Sequence, residues 1–90
     1  MWTIRVSEEF VKQYKALPIL IRKRIQRQED LFQENPFHPS LHTEKLEPKK
    51  DQVWSIRVDR RYRILFQFQD SNTVIFVAVG PHDWIYTSAM

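Results

Sequence analysis

Two arginines and a histidine are the residues here whose types and spacing could do chemistry. Arg57 and Arg63 belong to Trp54-Ser55-Ile56-Arg57-Val58 and Tyr62-Arg63-Ile64-Leu65-Phe66, with Asp59-Arg60-Arg61 between them. Both segments alternate apolar and polar residues, as half-buried strands do. A short loop predicts an antiparallel hairpin. Pairing Val58 with Tyr62 puts Trp54, Ile56 and Val58 on the same side as Tyr62, Ile64, Phe66 and Phe68. That register sets Arg57 across from Arg63 on the other side. Like charges directly opposite each other repel, so this face wants an anion. Asp59, Glu44 or Glu47 could supply it through surface ion pairs worth ~0–1 kcal/mol. A phosphate could supply it through bidentate guanidinium contacts. The neighbourhood favours the phosphate. Residues 45–65 hold Lys45, Lys49, Lys50, Arg57, Arg60, Arg61 and Arg63 against Glu47, Asp51 and Asp59, a net +4 in a chain of net charge +3. Such a segment fits a polyanion such as nucleic acid, although a solvated basic loop has the same composition. Arg5, opposite in phase to Trp2, Ile4 and Val6, is a further candidate for the basic face.

His82 follows Gly80-Pro81 at the end of the apolar run Val74–Val79, which places it just past a strand end. Histidine is the side chain best suited to proton transfer near neutral pH, and Asp83 could orient its ring. A lone histidine in a turn is also ordinary polar surface. His38 and His42 are four apart, but that spacing gathers a metal only on a helix and Pro39 interrupts it, so no metal site is expected. The pleat turns Trp54 toward the core. Tyr86 could stack on a base or pack against the sheet.

Composition removes several classes of function. The 90 residues contain no cysteine, which excludes disulfides, thiolate metal sites and a cysteine nucleophile. A single glycine, Gly80, excludes Gly-rich phosphate loops and dinucleotide fingerprints. The longest uncharged stretch, Ser71 to His82, is far short of the ~20 residues that span a bilayer. With no apolar leader at the start, the chain reads as cytoplasmic and membrane-free.

The elements that must position these residues follow from periodicity. Trp2–Val6 alternates as a strand. Ser7 then caps a helix with Glu8 and Glu9 in its first turn, where the dipole favours negative charge. Phe10, Tyr14 and Leu17 share a face of that helix. Pro18 ends it and opens a second helix, whose stripe is Ile21, Ile25 and Phe32, widened by Leu20 and Leu31. Arg22, Lys23, Gln26 and Glu29 face water, and Asn35-Pro36 stops the helix. Residues 36–52 show no period and predict a long irregular connection. Strands are predicted over Val53–Val58, Tyr62–Gln69 and Thr73–Val79, the last apolar on both faces and therefore inside the sheet. The fold expected over residues 1–90 is one α+β domain. An N-terminal strand and a two-helix hairpin pack on one face of an antiparallel sheet.

Several segments, in order, resemble the RelE/ParE superfamily of bacterial toxins from type II toxin–antitoxin systems. They are Asn35-Pro36-Phe37-His38-Pro39-Ser40-Leu41, Lys45-Leu46, Trp54-Ser55-Ile56-Arg57-Val58, Tyr62-Arg63-Ile64, and Val79-Gly80-Pro81-His82-Asp83 with Tyr86. The resemblance implies a ribosome-dependent mRNA endonuclease that meets its message in the ribosomal A site. A cognate antitoxin would inhibit it, in some cases within a toxin–antitoxin heterotetramer. In the RelE branch the site is mostly lysine and arginine with a C-terminal tyrosine. Arg57, Arg63 and Tyr86 fall at such positions, whereas Ser55 replaces a lysine and His82 an arginine. In the YoeB-like branch the site is a glutamate, an arginine and a near-terminal histidine. Glu44 lies ten residues before Trp54, as that glutamate does before its tryptophan, and Arg63 and His82 match the other two.

The chemistry this implies requires no metal or other cofactor, because RNA carries its own nucleophile, the 2′-hydroxyl. Glu44 would act as base and His82 as acid, in exchangeable roles, with Glu47 the alternative base. Arg57 and Arg63 would stabilise the phosphorane. Lys45, Lys49, Lys50, Arg60 and Arg61 would hold RNA phosphates, and Tyr86 would position a base. Two other classes stay open: a ParE-like gyrase inhibitor or catalytically inactive antitoxin partner, and a nonspecific RNA-binding domain. Neither needs His82.

Overall fold

A computed structural model of the protein describes residues 1–46 and 52–83. Strand β1 (Thr3–Val6) leads through Ser7 into helices α1 (Glu8–Lys15) and α2 (Ile19–Glu34). A short 3-10 turn (Pro39–Leu41) and β2 (Glu44–Lys45) follow, then β3 (Trp54–Arg57), β4 (Tyr62–Phe68) and β5 (Thr73–Pro81). The five strands form one sheet in the order β1-β5-β4-β3-β2.

Ser7 does two jobs at the first turn. Its hydroxyl oxygen accepts from the Phe10 N–H at 3.0 Å, the N-cap bond expected of it, and its hydroxyl donates to the Val77 carbonyl at 2.9 Å. Acid in the first turn and base in the last suit the dipole of α1. Helix α2 has neither, and its N-cap Pro18 makes no side-chain bond. Packing holds it instead. Ile25 and Phe32 are fully buried, and the Phe32 ring meets Phe66 and Phe76 edge-on at 4.9 and 5.4 Å. Both helices contribute to one core with Ile56, Val58, Ile64, Phe66, Val74, Phe76 and Val79, so they share one face of the sheet. The opposite face carries a smaller apolar cluster of Leu46 and Leu65 with Val53, Val77 and Ala78.

The structure corrects the sequence reading in four places. The sheet is mixed rather than antiparallel, because β1 pairs in parallel with β5 (Thr3 with Thr73 through Val6 with Phe76). The long connection that parallel neighbours require runs through both helices and strands β2, β3 and β4. The connection after α2 is partly ordered by the 3-10 turn and β2. Leu20 is 65% exposed rather than part of the core stripe. Glu29 and Arg22 are half-buried. Arg22 donates through Nε to the Leu17 carbonyl at 3.1 Å, across the turn between the helices.

Along β4–β5 the register shifts at Leu65/Phe66. Leu65 faces Ala78 but Phe66 faces Phe76, so Val77 is an extra residue. This β-bulge lets both Val77 and Ala78 pack with Leu65 on the far face, while Phe76 and Val79 point into the core. Among the described residues, no strand pairs with the outer edge of β5 beyond Phe76, whose carbonyl accepts from the Ser7 N–H at 3.0 Å. There α1 takes over, with Ser7 on the Val77 carbonyl and Gln13 Oε1 accepting from the Val79 N–H at 2.8 Å.

Candidate active site

The hairpin register places Arg57 opposite Arg63, and Arg63 opposite Gly80 on β5. One row across three strands is therefore two guanidinium-bearing residues and a position with no side chain. The next row is Glu44, Ser55, Leu65 and Ala78. Cross-strand partners share a face, so Glu44 lies on the arginine side of the sheet. His82, one residue past β5, is fixed by its backbone N–H, which donates to the Arg61 carbonyl at 2.6 Å. These placements build a cavity of about 380 Å³ lined by His42, Thr43, Glu44, Arg57, Arg63 and His82.

Within it, Arg63 Nη1 donates to the carbonyls of Asp59 and Tyr62 at 2.6 and 3.0 Å. Arg57 Nε is buried and has no hydrogen-bond partner among the described residues. A buried N–H left unpaired is costly. His82 is half-exposed, with Nδ1 at 3.3 Å from the Asp83 carboxylate, as the sequence suggested for an oriented ring. An adjoining cavity of about 460 Å³ is lined by Arg60, Arg61, Arg63, Pro81, His82 and Asp83. Positive charge thus continues outward from the first cavity along the hairpin.

Asp59, weighed above as a counter-ion for this face, is engaged elsewhere. Its Oδ1 accepts from the N–H groups of Arg61 and Tyr62, both at 2.8 Å, and its Oδ2 pairs with Arg24 on α2 at 2.8 Å. Burial pushes its carboxyl up, but the bonds from Tyr62, Arg61 and Arg24 outweigh burial and hold it below the ordinary value. Behind the arginine row, the buried Gln28 of α2 donates through Nε2 to the Arg57 carbonyl at 2.7 Å and the Ser40 carbonyl at 3.3 Å. One amide therefore ties the end of β3 to the turn that precedes His42.

The structure gathers Glu44, Arg57, Arg63 and His82 at one cavity and sets Arg60 and Arg61 beside it. It does not bring Lys45 to them. Lys45 pairs with Trp54 on the helix-bearing side, its Nζ 5.7 Å from the indole centroid. Arg5 is also apart, near Gln69 at 3.5 Å, with the apolar far-face cluster between it and the arginines. Glu47, Lys49, Lys50 and Tyr86 lie outside the described residues. His38 has a local task, its Nδ1 accepting from the Ser40 N–H at 3.0 Å. Among the described residues, no group of three or more metal-ligating side chains gathers. None of their helices is long and apolar enough to cross a membrane.

Sequence reasoning weighed His42 only as a metal ligand, and it passed over Thr43. His42 reaches the cavity because it ends the 3-10 turn in the left-handed region (φ 49°), which redirects the chain into β2. A histidine two residues before a candidate carboxylate is a weak signal that points the right way.

Known proteins share the family and the fold. Residues 14–82 match the HigB-like toxin family, described as RelE-like toxins of the type II toxin–antitoxin system HigB. An uncharacterized protein of Haemophilus influenzae is 37% identical over 46 residues. That match takes in 51% of this chain and 45% of the relative, so the chain spans about half the length of the curated relative it matches. The RelB–RelE complex of Methanococcus jannaschii superposes with a TM-score of 0.74 at 27% identity, covering 93% of this chain and 96% of that one. The YoeB/ParE toxin of Agrobacterium tumefaciens gives 0.74 at 13% identity, covering 89% and 98%. The YoeB–YefM complex of Staphylococcus aureus gives 0.73 at 19%, covering 91% and 98%. At those last two identities the likeness is one of fold. The helical hairpin on a five-stranded sheet and the match over residues 14–82 thus lead to one family: the chain belongs to the HigB-like, RelE-like toxins of type II toxin–antitoxin systems.

Proposed function

We propose that the protein is a toxin that cleaves mRNA in the ribosomal A site by acid–base chemistry and that a cognate antitoxin restrains it. The observation that carries the reading is the cavity where Glu44, Arg57, Arg63 and His82 meet. A scissile phosphate there would lie against the arginine pair. Glu44 takes the proton of the 2′-hydroxyl, whose oxygen attacks phosphorus. The P–O5′ bond breaks, and His82 gives its proton to the departing 5′-oxygen. The products are a 2′,3′-cyclic phosphate and a 5′-hydroxyl. Arg57 and Arg63 stabilise the charge that builds on the phosphorane oxygens. His42 lines the same cavity and is the alternative partner to His82 in proton transfer. Arg60 and Arg61 meet flanking phosphates, with a salt-sensitive contribution to affinity.

The antitoxin partner is supported by the relatives that were solved as complexes: RelB–RelE of Methanococcus jannaschii and the heterotetrameric YoeB–YefM of Staphylococcus aureus. Growth and transcript integrity in bacteria expressing the wild type or His82→Ala test the activity. Arrest with new ends inside translated codons is expected for the wild type. Loss of a positioned general acid costs about 10²–10⁴-fold in cleavage. Arrest with intact mRNA in both strains would overturn the nuclease reading and point to a topoisomerase target.

A further inference from the structure

We propose that Asp59 is a positioning residue that aims Arg63 and His82 at the cavity without itself meeting substrate; the proposal rests on the nuclease reading above. The three-residue loop Asp59-Arg60-Arg61 supplies a carbonyl to each of the two site residues that flank it. The Asp59 carbonyl accepts from Arg63 Nη1 at 2.6 Å, and the Arg61 carbonyl accepts from the His82 N–H at 2.6 Å. Where those two carbonyls point is decided by the conformation of the loop. The Asp59 carboxylate decides that conformation. One oxygen holds the N–H groups of Arg61 and Tyr62, closing an Asx turn, and the other clamps Arg24 of α2.

This loop would not keep its shape unaided. Arg60, Arg61 and Arg63 crowd three cations into four residues, and the Asp59 carboxylate holds the backbone of that segment at the N–H groups of Arg61 and Tyr62. The carboxylate also lies on the far side of the hairpin from the chemistry. It lines a cleft with Arg24, Arg27, Gln28 and Ser40, whereas Arg63 and His82 line the cavity with Glu44 and Arg57. Asp59 therefore acts through Arg63 and His82. Errors in the placement of supporting groups of this kind cost about 10–100-fold in activity.

The test compares Asp59→Ala and Asp59→Asn with the wild type on ribosomes programmed with a defined message, with folding checked by circular dichroism. Asn keeps an acceptor oxygen for the turn and gives up only the charge toward Arg24. Asp59→Ala is expected to cut the rate at saturating ribosomes about 10–100-fold with KM within about threefold, and Asp59→Asn to stay within about threefold of wild type. In an Arg63→Ala background, adding Asp59→Ala should cost less than about tenfold, because much of its effect passes through the missing arginine. A folded Asp59→Ala protein with the wild-type rate, an Asn variant as poor as Ala, or losses that simply multiply with Arg63→Ala would each overturn the proposal. If Asp59→Ala does not fold, Asp59→Ser replaces it, its hydroxyl being a weaker acceptor for the same turn, and a wild-type rate there overturns the proposal. If the wild type itself cleaves nothing, the nuclease reading falls and the positioning is read from NMR. The Arg63 side-chain N–H signals should be sharp and slowly exchanging in the wild type and lose both properties in Asp59→Ala. Unchanged signals would overturn it.

Discussion

Replacing Gln28 by leucine removes the one amide that joins α2 to both walls behind the arginine row. Leucine has nearly the same volume and fits the buried position, so the change isolates the hydrogen bonds. Two are lost, a short one to the Arg57 carbonyl (2.7 Å) and a long one to the Ser40 carbonyl (3.3 Å). A net hydrogen bond is worth about 0.5–1.5 kcal/mol, and a buried acceptor left without a partner costs about 1–3 kcal/mol. The 3.3 Å bond is weak, so most of the loss falls on the Arg57 carbonyl, and burial of the leucine side chain offsets part of it. The expected destabilisation is about 1–3 kcal/mol, or a fall of roughly 5–20 °C in Tm for a domain of this size. Urea unfolding of the two proteins would show it as a lower midpoint at unchanged slope. Gln28→Glu should be worse near neutral pH, because it sets carboxylate oxygens against two carbonyls, and should recover as acid restores a donor. A Gln28→Leu protein within 0.5 kcal/mol of wild type, about the additivity error of such comparisons, would refute the bracing role of this amide.

Two further outcomes are expected. Ser7→Ala loses both the cap of α1 and the bond to the Val77 carbonyl, and should cost about 1–2 kcal/mol in chemical denaturation. Ser7→Asp, which caps but cannot donate to Val77, should fall between the two. Burial raises the Glu29 carboxyl above its ordinary value, and Asp30 beside it adds to the rise. The folded state then holds the proton more tightly than the unfolded chain, so stability declines as pH climbs past the unfolded value and through the raised one. Glu29→Gln should therefore melt higher than wild type at about pH 7 and equally at about pH 3, which thermal scans at the two pH values would check.

The arginine row was legible because its cause is local. A three-residue loop fixes the pairing of Val58 with Tyr62, and the pleat does the rest. The same holds for the Ser7 cap and for β5 as an inner strand, whose apolar residues on both faces admit no other place. What could not be read depends on contacts distant in sequence. Strand β2 is two residues long and exists only because Glu44 and Lys45 meet Ser55 and Trp54. The choice of β5 as a parallel neighbour for β1 joins the two ends of the fold and leaves no mark on Thr3–Val6 itself. Gln28 looks like any polar helix residue until the Arg57 and Ser40 carbonyls are set before it. His42 enters the cavity through a backbone angle that no residue type announces. The four site residues gathered there were named from the sequence; their chemical roles await the cleavage experiments.

The extra residue in β5 works as a change of phase. Counting from the turn at Asp70-Ser71-Asn72, the same strand paired without the bulge, Val77 facing Leu65, would bring Val79 opposite Arg63 and turn Gly80 toward the helices. An isopropyl group would then fill the space beside the guanidinium, and the core would lose a side chain where it most needs one. The lower half of the strand thus keeps time with the hydrophobic layer and the upper half with the cationic row. The Val77 carbonyl at the join is held by the Ser7 hydroxyl, which also starts the first helix. Deleting Val77 would remove the bulge and let Leu65 face Ala78, Ile64 face Val79 and Arg63 face Gly80 in regular alternation, so the arginine row would stand while the far-face cluster lost one apolar residue.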